Sequence, residues 1–342
     1  MLRQPEENMN IPGEKLIIKM WDSLVDKGIG GMLQPWQERR VGESRLELRQ
    51  QEILKIAETE RLADRIRKGQ VQFESPLLES FSENRQGKIE PTLGADNVIL
   101  RTIEKDLSEN IRKEVNVAKS ILIAEELLTN EADHVSEENV EDDWLFNWQE
   151  YAGRVSSEDL QQLWGKILAG EIRKPGSYSY RTLDFLKTLS KSDAETIANA
   201  AQFVVDGVIF REHDEILLKS GISFEVLMYL QELGMLSGVE AVGLNSEWKS
   251  LEQSKYVKAF VSYNHCMILE HQDPLKLASK SIYLVTTIGK EVLSLAQFGA
   301  NKEYLKAAGT KFARQGFKVK IADWIQESNS SGRFYNAEDI VV

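Results

Sequence analysis

The residue types that most often bind metals gather at one place in this chain, His265, Cys266 and His271. A shared metal needs converging side chains, and neighbours in a strand point to opposite faces, so His265 and Cys266 read as core or edge residues. Carboxylates crowd a second place, the run from Glu137 to Asp143. No glycine-turned loop accompanies it, as a calcium loop would require. The run therefore reads as the N-terminal flank of a helix entering at Trp144, where the macrodipole favours negative charge. No Gly-x-Ser-x-Gly, His-Glu-x-x-His, phosphate-loop or dinucleotide glycine pattern occurs. These patterns assign no catalytic residue, no metal and no cofactor, and the expectation is a non-enzymatic protein.

The chemistry that remains is amphipathic. Stepping from Glu14 to Leu33 at about 100° per residue gathers Leu16, Ile17, Ile18, Met20, Trp21, Leu24, Val25, Ile29, Met32 and Leu33 into one apolar arc of roughly 220°. Lys15, Lys19, Asp22, Ser23 and Asp26 take the opposite side. Such an arc is wider than a surface helix needs to pack on a core, and it predicts a membrane or partner face. Trp36, opening the stretch WQERR, suits a lipid headgroup boundary. An unbroken helix here would be about 30 Å long, although Gly28, Gly30 and Gly31 weaken its end.

The rest of the chain must position that segment. Residues 1–72 read as a leader, the amphipathic helix and a long charged helix from Trp36 to Gln72, exposed or arm-like. Residues 73–95, with Pro76, Gly87, Pro91 and Gly94, read as a linker. A helical domain over 96–205 opens with a long helix from Asn97 to Asn130. Within it Ser156 with Asp159 and Ser192 with Glu195 have capping-box spacing, Ser177 or Ser179 can cap a helix from Tyr180, and Pro175-Gly176 stops the helix before.

The residues around those corners carry a resemblance. Asp143-Trp144, Glu150-Tyr151-Ala152, Val155-Ser156, Gln162-Leu163-Trp164, Ile167 through Glu171, Pro175-Gly176-Ser177 and Ser179 through Leu183 look like a bacterial family catalogued as a domain of unknown function. Trp164, Gly170, Glu171, Pro175, Gly176, Ser177 and Arg181 are its structural signature. The resemblance supplies no catalytic residue. It implies anti-phage immunity, in which relatives resemble effectors that oligomerise on a viral assembly and breach the inner membrane. The partners it implies are further copies of the chain, a phage structural protein and, on activation, the inner membrane.

Residues 206–327 read as a winged-helix-like α+β unit, with a helix over Ser223 to Leu233, alternating runs at Tyr256 to Leu269 and Ser281 to Thr287, and a further strand and helix over Gly316 to Gln326. The recognition-helix position, SFEVLMYLQEL, has two glutamates and no lysine or arginine, which disfavours a phosphate backbone and favours a protein. Residues 328–342 read as a polar tail. The fold class expected is therefore mainly α, helical in its N-terminal and central regions, with a smaller winged-helix-like α+β part.

Charge and composition point the same way. With 54 Asp plus Glu against 42 Lys plus Arg, the net charge is -12, which disfavours nucleic acid as main partner. The single cysteine excludes an intrachain disulfide framework. The first residues lack the layout of a secretory signal, and no apolar run reaches the roughly 18 residues of a membrane span. The expected location is the cytoplasm, with association at the inner membrane on activation. A non-membrane oligomeric adaptor and a winged-helix DNA-binding regulator are the alternatives.

Overall fold

The computed structural model describes residues 13–33, 45–71, 95–129, 136–211, 214–240, 244–327 and 331–341. The chain is mainly helical with a smaller sheet part, and divides into two compact units, Met1–Leu183 and Asp184–Val342.

In the first unit a long helix, α3 (Ala95–Thr129), is the centre on which the others pack. Its C-terminal half buries two stripes, Val115, Ala118 and Leu122 on one and Val117, Ile121, Ala124 and Leu128 on the other. Two stripes at helical spacing require neighbours on two sides. Those neighbours are α1 (Glu14–Val25), α2 (Arg45–Arg67), α4 (Asp142–Arg154) and α5 (Glu158–Arg173). Helix α5 approaches closely because position 165 is glycine: a Cβ there would lie 2.6 Å from Ile123 Cγ2 and 3.0 Å from the Ser120 carbonyl oxygen. The arm expected after Trp36 is instead a packed helix, since α2 buries Glu52, Ile56, Ala63 and Ile66. Its packing on α3 supplies the partner that loose apolar spacing alone did not specify. The expected linker lies outside the described residues except for Ala95, which begins α3.

Helix α6 (Tyr180–Thr188) contains the division between the units, which falls 22 residues before the expected boundary after Val205. The shift has a packing cause. Phe203 stacks edge-on to Tyr304 at 5.2 Å, and the Val204 carbonyl accepts from Ser262 Oγ at 2.7 Å, so α7 (Lys191–Ala201) and the turn after it belong with the sheets.

The second unit continues with β1 (Val208–Phe210), α8 (Asp214–Lys219), α9 (Phe224–Glu232), β2 (Leu236–Ser237), β3 (Leu244–Trp248), β4 (Tyr256–Ser262), β5 (His265–His271) and β6 (Ala278–Val285). Then come α10 (Thr287–Leu293), α11 (Lys302–Arg314), β7 (Lys318–Gln326) and β8 (Gly332–Asp339). One antiparallel sheet has the order β1-β6-β2, with β3 also pairing β6, and the other runs β4-β5-β7-β8. The Tyr256 to Leu269 run is two strands, because Tyr263 and Asn264 form a turn in which Tyr263 has φ +49°. Residues 332–339, expected in a polar tail, pair with β7. The further strand and helix expected over Gly316 to Gln326 are strand alone there, β7, and the helix precedes it as α11, whose Asn301 cap and buried Tyr304, Leu305, Ala308 and Phe312 carry the helical signal. Phe210, Trp248, Phe260, Tyr304 and Phe312 interlock as the core of this unit, mostly edge to face.

Candidate functional site

The amphipathic segment is shorter and more buried than its pattern suggested. Helix α1 stops at Val25, and residues 26–33 form turns in which Gly28 has φ +67° and Gly30 φ +72°, values that favour glycine. The predicted continuous helix to Leu33 is therefore replaced by 12 helical residues and a folded-back tail. Leu16, Ile17, Met20, Trp21, Leu24, Ile29 and Leu33 are buried, Val25 and Met32 are half-buried, and Ile18 stands 52% exposed on the outer side. The covered arc is thus narrower than the 220° read from spacing. Trp36 lies outside the described residues.

What covers this face is the first unit's own core, α3 and α5. Gly13 sets the start: its φ is +76°, and a Cβ there would collide with the Leu128 carbonyl oxygen. At the other end a Cβ on Gly30 would come within 2.7 Å of Ile121 Cδ1. Polar ties cross the rim. Lys27 Nζ meets Asp142 Oδ2 at 2.6 Å, and Lys19 Nζ donates to the main-chain carbonyls of Ser136 at 3.0 Å and Glu138 at 2.6 Å. Burial pulls the Lys19 pKa below its usual value, with Glu138 opposing.

The signature residues build a fixed loop. Trp164 is buried against Tyr151, and its carbonyl accepts from Trp148 Nε1 at 2.9 Å. The carboxylate of Glu171, itself buried, accepts from the backbone N–H of Gly176 at 2.5 Å and of Tyr178 at 3.0 Å. Pro175 and Gly176 turn the chain, Gly176 with φ +79°. Ser177 Oγ donates to the Lys174 carbonyl at 2.6 Å, closing the turn. Tyr178 then folds back over Gly170, where a Cβ would sit 2.7 Å from the ring. Its carbonyl accepts from Trp144 Nε1 at 2.7 Å. Arg181 is exposed on the first turn of α6. A carboxylate that satisfies two loop N–H groups acts as a structural clasp.

The helix starts differ by a residue or two from their spacing signals. Helix α5 begins after Ser157 with no side-chain cap, in place of the Ser156 box. Ser179 Oγ does accept from Thr182 N, at 3.3 Å. The box expected at Ser192 with Glu195 is formed by Ser190 with Asp193, because α7 starts at Lys191. Asp193 also accepts from Tyr229 Oη at 2.5 Å, which joins α7 to α9.

The three residues that suggested metal chemistry do not converge. His265 lies beside Asp323, Nε2 to Oδ1 3.3 Å, while Cys266 packs with Ile268 and Ala322, and His271 Nδ1 accepts from Asp273 N at 3.0 Å. Burial pushes the Cys266 thiol up to about 11, which leaves it protonated and unreactive at neutral pH.

Compared with known proteins, residues 100–218 match a family described as Protein of unknown function (DUF2806). The match covers roughly a third of the chain and contains all seven signature residues. No curated protein and no solved structure matches the chain.

Proposed function

We propose that the chain is a non-enzymatic bacterial anti-phage effector that holds α1 latent, senses a phage-derived protein, oligomerises, and then delivers α1 to the inner membrane. The observation that carries this reading is the clasped apolar face of α1 and its folded-back tail. Seven buried apolar side chains, at about 1.5 to 3 kcal/mol each, make release cost on the order of 10 to 20 kcal/mol. Release therefore requires an acceptor that reburies the same surface, and a bilayer interface or a neighbouring copy is such an acceptor. At 12 residues α1 is about 18 Å long, short of the roughly 30 Å hydrocarbon layer. Among the described residues no helix is long and apolar enough to cross a membrane. The delivered helix would lie in the interface, with Lys15 and Lys19 outward.

Lys27 and Asp142 form the tie whose loss should lower the release barrier. Vesicle dye release by the Lys27→Glu variant should exceed that of the wild type, and the charge-swapped Lys27→Asp, Asp142→Lys variant should return toward it. Equal leakage from all three, or none from any, sinks the membrane step.

For sensing, the order α7, β1, α8, α9, β2, β6, with β6 between β1 and β2, supports a winged-helix-like reading in which β3, paired to β6, enlarges the wing and β4 and β5 belong to the second sheet. Position α9 exposes Phe224 and Tyr229 beside Glu225 and Glu232. This acidic, aromatic surface suits a protein better than a phosphate backbone. Salt-sensitive duplex binding by the chain would favour the DNA-binding alternative instead.

A second reading has its own observation. The closeness of Gly13 to Leu128 and of Gly30 to Ile121 makes α1 an integral part of the packed core. On that reading the chain is a cytoplasmic oligomeric adaptor or sensor without membrane activity, and it would leave vesicles intact in every state of assembly.

A further inference from the structure

Two surfaces of the first unit carry opposite charge. A cleft of about 870 Å³ runs beside α2 and α3 and reaches Ser156. Its wall holds Lys68, Arg101, Lys105 and Arg112, and among the described residues none of these four makes an ion pair. Three of the acids in the wall have ion-pair partners: Glu60 with Lys119 at 3.0 Å, Asp64 with Arg67, also in the wall, at 2.8 Å, and Glu109 with Lys113 at 3.9 Å. Among the described residues of the wall, Glu104 is the acid left without an ion-pair partner against these four cations. In a chain of net charge -12 this is a local concentration of positive charge.

The opposite surface is the acidic run. Glu137, Glu138, Glu141, Asp142 and Asp143 are all exposed, and Glu137, Glu138 and Asp143 make no ion pair among the described residues. This run leads into α4 and includes its first two residues, whereas Ser156 of the cleft lies just beyond the other end of the same helix. The 12 steps from Asp142 to Arg154 separate the two surfaces by about 18 Å, so they face partners from opposite ends of α4.

We propose that the cleft receives the Glu137–Asp143 run of a second copy of this chain, in a head-to-tail contact that repeats from copy to copy. A contact between two different surfaces is heterologous and builds rings or open filaments rather than closed pairs. Nucleic acid fits the cleft less well. Among the described residues no aromatic side chain lines it for bases to stack on, and Glu104 and the paired acids oppose dense phosphate. The inference rests on the oligomerisation in the proposed function and names its contact.

The test is sedimentation velocity of the full chain across salt concentration, with two charge-reversed variants. Wild type should associate with rising concentration at low salt and dissociate as the Debye length shrinks from about 10 Å at 0.1 M toward about 3 Å at 1 M. Lys105→Glu with Arg112→Glu reverses the cleft, and Glu137→Lys with Asp143→Lys reverses the run. Each alone should weaken association roughly a hundredfold while circular dichroism and the melting curve stay unchanged. Mixed in equal amounts the two should associate again, because each reversed surface then meets its complement. A wild type that stays monomeric, folded variants that associate like wild type, or a mixture that stays monomeric overturns the proposal. So does a wild-type monomer that binds labelled oligothymidylate through the cleft. Assembly without vesicle leakage would sink the membrane step and leave this contact standing.

Discussion

At the scale of single residues, the clearest dependence on one side chain is at Glu171. Its carboxylate satisfies the N–H groups of Gly176 and Tyr178 in a buried loop, and hydrogen bonds to a charged group are worth about 1.5 to 3 kcal/mol each. Glu171→Ala should lower stability by about 2 to 4 kcal/mol in urea denaturation, with Glu171→Gln between it and wild type. An unchanged midpoint for the alanine variant would show that the loop closes without the clasp. His265 offers a test by pH. It is 7% exposed beside Asp323, with Lys302 Nζ 3.5 Å from the same carboxylate. Burial, then Lys302, pull its pKa below the ordinary 6.5, and Asp323 opposes them. Between the lowered folded value and 6.5 the unfolded chain binds more protons. Stability is therefore present above the ordinary pKa and is lost as pH falls through this window. The urea midpoint of wild type should drop more between about pH 7 and pH 5 than that of His265→Gln; parallel profiles would remove His265 from the acid response.

At the scale of elements, what was legible in the sequence was legible locally. The stop at Pro175-Gly176, the Ser179 cap and the long α3 all follow from turn chemistry and 3.6-residue spacing, which need no tertiary partner. The failures have tertiary causes. The width of the α1 arc could be counted, but Gly28 and Gly30 took the left-handed conformation and folded Ile29 and Leu33 back into the core. An apolar arc records how much surface wants cover, and leaves open whether the cover is lipid, a partner or the chain itself. Likewise β8 is exposed along nearly its whole length; its polar residues show no alternation, and only its pairing with β7 defines it as a strand. Gly13 gives the seat of α1 a direct test. Its φ is +76°, and the Leu128 carbonyl oxygen occupies the place a methyl group would take. Gly13→Ala must therefore shift the start of α1, at a cost of about 2 to 3 kcal/mol. Limited proteolysis should then cut around residues 14–25 faster than in wild type. Equal cutting rates would mean that the helix can reseat.

At the scale of the whole molecule, each compact unit has its own apolar centre: the stripes of α3 in the first, the Phe210, Trp248, Phe260, Tyr304 and Phe312 cluster in the second. Two cores of this kind are the condition for two separable unfolding transitions. Substitutions confined to one core should then move one transition. Gly13→Ala reports on the first unit. Tyr304→Phe reports on the second, because the Tyr304 hydroxyl both accepts from Phe210 N at 2.6 Å and donates to the Phe210 carbonyl at 3.2 Å. Removing that hydroxyl leaves a buried N–H without its acceptor, a loss of about 1 to 3 kcal/mol. Fluorescence can follow the units separately in part, since Trp21, Trp144, Trp148 and Trp164 lie in the first and Trp248 and Trp324 in the second. The expected urea profile has two steps, with the first unit's step moved by Gly13→Ala alone and the other by Tyr304→Phe alone. A single step displaced as a whole by both variants would mean that the units unfold as one. In that case the release of α1 from its seat would be coupled to the stability of the sheets as well as to the packing of α3 and α5.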